Sequence, residues 1–297
     1  MSQRVGVIGL GIMGSAYTGH LVDGGVATSG FDVDAGALQR FVAHGGRAGA
    51  DPREVAGTCD VVITALPSVA AVDAVFFGDD GLASGAHDEL VVVEASTLPL
   101  DVKERVRARM AQSGVAVLDA PVSGTGSQAK VKDLAIYASG ERAAYERVET
   151  VLLQLARSVR YVGEFGVGSK LKYIANLLVT IHNMSAAEAV VLAQKAGIDP
   201  AMMIDIVGDG AGTSRMLQVR GPMMAAGTYD EPGMKLDVYQ KDIEIIAGFA
   251  NQVGAPTPLF AQSAVFYTAA LAQGRGKQDT AAIASVLKTM AGLAADP

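Results

Sequence analysis

Val5-Gly6-Val7-Ile8-Gly9-Leu10-Gly11-Ile12-Met13-Gly14, followed downstream by Asp32, is the stretch that decides the reading of this chain. A strand-type apolar run passes directly into a glycine turn and then an amphipathic segment. Asp32 stands about twenty residues beyond the middle glycine, the spacing of a dinucleotide-binding unit. Gly9 permits the tight strand-to-helix turn, Gly11 lets backbone approach a pyrophosphate, and Gly14 lets the helix pack close on the strand. The helix N-terminus adds N–H groups and the positive end of a dipole. Asp32 would accept hydrogen bonds from ribose hydroxyls, and Ile12 and Met13 inside the turn belong to the same cofactor-binding set.

Outward from this turn, short β-rich runs alternate with helical stretches such as Asp101–Gln112 as far as residue 163. The expected strands are Val5–Ile8, Ala27–Asp32, Val61–Ala65, Leu90–Glu94, Ala116–Asp119 and Ala135–Ser139. Several carry apolar residues on both faces, as buried parallel strands do, and the alternation predicts a doubly wound α/β domain over 1–163. Leu66-Pro67-Ser68 and Ala95-Ser96-Thr97 follow strand ends, where open sheets bind ligands. From 164 to 297 only helical periodicity remains, and a second, all-helical domain is expected. Its helices are Lys170–Ala196, closed by Gly197, then Pro200–Val207, Tyr239–Val253, Pro258–Gln273 and Thr280–Ala294. Gly208–Ser214 reads as a loop, with Arg215 or Arg220 available to an anionic substrate.

The chain has 297 residues, 50% of them hydrophobic, and a formal net charge of −7. No uninterrupted apolar run reaches the roughly 18 residues of a membrane span, and no secretory leader pattern opens the sequence. Cys59 is the only cysteine, which excludes an intrachain disulfide and a cysteine metal cluster. His20, His44, His87 and His182 lack metal-ligand spacing, so no metal is expected. A cytoplasmic protein without nucleic-acid or membrane partners is expected, since no Lys/Arg cluster is interleaved with aromatics.

On the long helix, Lys172, Asn176, Thr180 and Asn183 fall within one narrow sector at about 100° per residue. The rest of that helix is largely apolar, and a buried lysine is costly unless paired or used. By periodicity alone, Lys172 could equally snorkel to solvent.

Taken together, the motifs resemble the β-hydroxyacid dehydrogenase family, which includes 3-hydroxyisobutyrate, tartronate semialdehyde and 6-phosphogluconate dehydrogenases. The resemblance is carried by Gly9–Gly14, by Asp119-Ala120-Pro121-Val122-Ser123-Gly124, by Gly166-Val167-Gly168 with Lys172 and Asn176, and by Lys241-Asp242. It implies a Rossmann-type N-terminal sheet and a C-terminal all-α domain joined by a long interdomain helix. Lys172 would be the general acid/base, a role that suits a lysine if desolvation or a neighbouring cation lowers its pKa toward neutrality. Asn176 would bond the reacting oxygen or a carboxylate, and Ser123, Gly124 and Thr125 would hold the substrate carboxylate. Lys241 would close over the cofactor, although a solvated pair with Asp237 is the plainer alternative. Leu66, Pro67 and Thr97 would line the cofactor, and the resemblance implies a homodimer or homotetramer.

Departures from the family pattern are Thr125 in place of glycine, Ala175 in place of a first asparagine, Val131–Leu134 in place of a Gly-Thr-Leu turn, and His20 in place of asparagine. His20 is expected to be structural; none removes a residue the chemistry requires, and together they bear on the substrate. Phe31-Asp32-Val33-Asp34 offers carboxylates and no adjacent arginine, favouring NAD over NADP. The implied reaction interconverts a small 3-hydroxy acid and its semialdehyde or keto acid. Segments at Tyr137–Gly140 and His182–Ala189 are similar to L-threonate dehydrogenases; hydroxyisobutyrate and tartronate or succinic semialdehyde stay open. The alternatives are an NADPH-dependent semialdehyde or imine reductase, the latter usually carrying Asp or Tyr in place of the lysine, and a non-catalytic dinucleotide-binding scaffold.

Overall fold

Valine-rich runs need cover on both faces, and the helices between them supply it. A computed structural model describes residues 3–294 and 296. The strands are β1 (Val5–Ile8), β2 (Thr28–Phe31), β3 (Arg47–Ala48), β4 (Val61–Thr64), β5 (Val91–Glu94), β6 (Ala116–Asp119), β7 (Val122–Ser123), β8 (Ala135–Ala138) and β9 (Ser158–Tyr161). β1, β4 and β5 are buried along their whole length, as strands covered on both faces are. A six-stranded sheet runs in the order β3-β2-β1-β4-β5-β6, with every pairing parallel. The direction of winding reverses between β1 and β4, and ligands of such sheets bind beyond the strand carboxyl ends at that switch point.

The Ala135–Ser139 run departs from expectation. It forms β8 of a separate three-stranded sheet, β7-β8-β9, antiparallel to β7 and parallel to β9. An isolated antiparallel bridge, Asp119 to Ser139, joins it to the end of β6. Along β8, half-buried and buried residues alternate, the pattern of a sheet with one open face rather than of a central parallel strand.

The chain packs as two compact units that divide between Lys172 and Tyr173, inside the helix Val167–Lys195 and beyond the sequence division at 163. In the second unit Tyr173, Leu217, Leu236, Ile243, Phe260 and Ile283 belong to one apolar core. Its helices are Pro200–Gly208, Arg215–Ala226, Leu236–Gln252, Pro258–Ala272 and Ile283–Met290. Arg215–Ala226 was not expected from the sequence because Pro222 lies inside it; Ser214 caps its start, accepting from Leu217 N, and Gly227 ends it with φ +68°. The Thr280–Ala294 segment is also shorter than expected. It begins as a 3₁₀ turn, Thr280–Ala282, capped by Asp279, and its helix ends at Met290.

The long helix has 29 residues, and by length and composition it could cross a membrane, with mean hydropathy 1.3 in its most apolar window. Its polar face is nevertheless the buried one: Lys172, Asn176, Thr180 and Asn183 are all buried while Ile174 and Leu178 are exposed.

Candidate active site

The glycine turn is shaped by close approach. Gly9 has φ +90°, and a Cβ there would stand 2.3 Å from Ala65 O; one at Gly14 would stand 1.8 Å from Gly9 O. Both glycines are therefore demanded by the fold itself. Gly11 differs, since a Cβ there would meet nothing within 4 Å. It is the N-cap of helix Ile12–Asp23, which has no side-chain cap and no acid in its first turn. Open space above uncapped N–H groups is a cradle for a pyrophosphate. Asp32 is fixed beside the turn, with Oδ2 accepting from Leu10 N at 2.6 Å and Oδ1 from Asp34 N at 2.8 Å. Leu66 N donates to Ser96 Oγ at 2.8 Å, so the Leu66-Pro67 loop is tied to the one holding Thr97. The donor set and the open cradle fit a dinucleotide, which Gly9–Gly14, Asp32, Leu66, Pro67 and Thr97 would hold.

β6 ends at Asp119, and after β7 the chain turns at Gly124, whose φ is +143°. Thr125 caps the short helix Gly126–Lys130 in a capping box. Its Oγ1 accepts from Gln128 N at 3.4 Å, and its own N–H donates to Gln128 Oε1 at 3.0 Å. Both polar groups of Thr125 are thus already engaged within the loop. The Ser123 hydroxyl and Gly124 N–H are the loop groups the box does not use. His20 Nε2 donates to Ala129 O at 2.7 Å, tying the first helix to this one and giving His20 the structural part expected for it.

Asp119 also belongs to a buried ionic cluster that the sequence did not reveal. Lys103 Nζ is 2.7 Å from Glu94 Oε2 and 2.7 Å from Asp119 Oδ1. Burial alone would lower the lysine pKa, but the carboxylates of Asp119 and then Glu94 outweigh it and raise it above the ordinary value. Asp119 in turn accepts from Ser169 N and Ser169 Oγ, each at 2.8 Å, at the first turn of the helix that carries Lys172. Lys172 itself is 7% exposed.

In the helical unit, Asn176 Nδ2 donates to Asp242 Oδ2 at 2.9 Å, and Lys241 Nζ lies 3.3 Å from Asp242 Oδ1. Asp242, in sequence only half of a motif, therefore orients the Asn176 amide. Asp237, the partner in the plainer reading of Lys241, pairs with Lys277 at 2.7 Å. Thr180 donates to Asn176 O, and Asn183 Nδ2 donates to Tyr267 OH and Thr280 O; these two polar residues serve packing. Arg220 is not offered to a substrate either, since it is buried against Asp279 at 3.1 Å.

Among the described residues no group of His, Cys, Asp and Glu could hold a metal ion. Residues 4–163 match the family described as the NAD binding domain of 6-phosphogluconate dehydrogenase. Residues 166–287 match that described as NAD-binding of NADP-dependent 3-hydroxyisobutyrate dehydrogenase. The L-threonate dehydrogenase of Cupriavidus necator is 34% identical over 96% of both chains. The 3-sulfolactaldehyde reductase of Escherichia coli is 30% identical over 98% of both. A solved structure of a 3-hydroxyisobutyrate dehydrogenase from Salmonella typhimurium superimposes with a TM-score of 0.87 at 32% identity, covering 96% of this chain and 100% of that one.

Proposed function

This chain belongs to the 3-hydroxyisobutyrate dehydrogenase-like β-hydroxyacid dehydrogenase family, and from that premise we propose that it oxidises a small 3-hydroxy acid with NAD, Lys172 being its general acid/base. Family membership makes it an NAD(P)-dependent β-hydroxyacid dehydrogenase; the lysine, the choice of cofactor and the substrate are the proposal. L-threonate stands first among candidate substrates, on the identity to the Cupriavidus necator enzyme.

The observation that carries the reading is a lysine with 7% of its surface exposed, one helical turn before a buried asparagine whose amide is oriented by a carboxylate. When bound, the nicotinamide accepts or donates the hydride. The Lys172 amine takes the proton from the substrate hydroxyl in oxidation and returns it to the carbonyl oxygen in reduction. Asn176 hydrogen-bonds the reacting oxygen or the carboxylate. The Ser123 hydroxyl and Gly124 N–H hold the carboxylate, joined by Thr125 N–H where the capping box yields. Lys241 belongs to the proposed cofactor-binding set.

Asp32 carries the preference for NAD, because a carboxylate bonds free ribose hydroxyls and repels the extra phosphate of NADP. The proposal extends to a cytoplasmic homodimer or homotetramer. A lone buried cysteine and exposed apolar side chains such as Leu192 and Ile206 support that part.

The test is purified protein incubated with L-threonate, 3-hydroxyisobutyrate or glycerate and either NAD or NADP, following reduced-cofactor absorbance. Turnover of at least one acid with NAD is expected. Turnover with NADP alone would remove the role given to Asp32, and silence with every acid would remove the function.

A further inference from the structure

Helix Leu100–Ala111 sends one charged side chain into the interior of the N-terminal unit, and Lys103 there is 0% exposed. The two carboxylates that meet it close adjacent parallel strands, Glu94 and Asp119 being direct register partners at the ends of β5 and β6. Taking such a cation and two anions out of water is expensive, and apolar side chains of similar volume would often serve stability as well. With its pKa held above the ordinary lysine value, Lys103 stays charged and has no proton to trade at working pH. Its remaining use is geometric.

Each carboxylate is also bonded to a loop. Glu94 Oε1 accepts from Ser96 N at 3.0 Å, and Ser96 Oγ accepts from Leu66 N, reaching the expected cofactor loops after β4 and β5. Asp119 holds Ser169 by N–H and hydroxyl, and Ser139 Oγ accepts from Gly168 N at 3.0 Å. Ser169 precedes Lys172 by less than one turn of the same helix.

We propose that Lys103 is a positioning residue. By clamping Glu94 to Asp119, it locks the first turn of the long helix, and so the direction of Lys172, to the loops following β4 and β5. This rests on the reading of Lys172 as general acid/base. A misplacement of about 1 Å is enough to cost on the order of a hundredfold in rate.

The test is Lys103→Met combined with Glu94→Gln, which removes cation and anion together and keeps the net charge of the cluster. Hydrogen exchange of the 166–173 segment, melting temperature, NADH affinity by fluorescence, and kcat and KM with L-threonate or whichever panel acid turns over would be compared with wild type. Exchange at Gly168 and Ser169 is expected to quicken about tenfold or more, and kcat to fall about ten- to a hundredfold. KM and NADH affinity should stay within about twofold, the mark of a defect confined to the chemical step.

A lowered melting temperature with unchanged exchange and kcat would make Lys103 merely structural and overturn the proposal; so would a fall in kcat without the exchange change. Should the double variant not fold, Ser169→Ala removes one link to Asp119, and about a three- to tenfold loss in kcat at unchanged KM is expected; unchanged kcat there overturns it. Wild-type protein inert toward the whole panel would sink the functional reading alone, because the exchange comparison needs no turnover.

Discussion

A buried three-residue ionic cluster in the N-terminal unit and a buried ion pair in the helical unit look alike by burial and differ in what else they hold. In the N-terminal unit Lys103 sits between Glu94 and Asp119, whose other side-chain bonds come from Thr64 and Ser139 and from Ser96 and Ser169, the last two in a loop and a helix turn of the candidate site. In the helical unit Arg220 pairs with Asp279. The remaining side-chain bonds of Asp279 come from the backbone N–H groups of Gly233, Met234 and Ala281 and from the Thr280 hydroxyl. That aspartate caps a turn and fastens a connection, and nothing it touches carries a proposed role. Burial of charge is thus no mark of function by itself; the onward hydrogen bonds of the partners decide it.

Variants can break this contrast or sharpen it. The largest effect is expected at the end of the first chain of contacts: Lys172→Ala should lower kcat by about 10²–10⁴, the usual worth of a positioned acid/base, with NADH still bound by fluorescence titration. A retained kcat would leave the Lys103 cluster with nothing to position. Next, Arg220→Met strands Asp279 in the interior, and chemical denaturation should show a loss of about 3–5 kcal/mol. Its kcat, measured below the lowered melting point, should match wild type. A fall in kcat there would erase the distinction between the cluster and the pair.

Asp32→Asn should shift the NAD-to-NADP ratio of kcat/KM by about tenfold toward NADP, an effect worth about 1.4 kcal/mol, with a lowered melting temperature because one of the two backbone N–H groups loses its acceptor. The smallest effect belongs to an exposed pair, Arg4 with Asp60 at 2.7 Å. The hydrogen bond from Arg4 holds the Asp60 carboxyl below its ordinary pKa. A depressed carboxylate contributes stability above its unfolded pKa and loses it as pH falls through the folded one. Asp60→Asn should therefore lower the melting temperature slightly at neutral pH, and the difference should vanish in strong acid.

Sequence legibility followed the same divide. The glycine turn, β1 and β6 were readable to the residue because contiguous side chains encode them. β3, with two exposed residues, carries no pattern, and β7 and β9 depend on partners remote in the chain. Lys103 hid among the charges of a helix also bearing Asp101, Glu104, Arg105, Arg107 and Arg109. One signal was present: Val106 and Met110, three and seven positions on and both buried, put Lys103 on the apolar face. Helix Arg215–Ala226 escaped because a proline ordinarily breaks a helix interior, and Asp242 because its partner Asn176 lies on another helix. Lys172 and Asn176 were legible as a stripe, but periodicity left snorkelling open, and only coordinates show that the lysine is buried.

Gly11 has a consequence for how this chain tolerates change. At Gly9 and Gly14 an added methyl collides with backbone, so substitution there should deplete folded protein from cells. At Gly11 an alanine meets open space, so a library scored for abundance should pass it while the same library scored for growth on the substrate rejects it. A position neutral in one screen and lethal in the other marks where ligand rather than fold has chosen the residue.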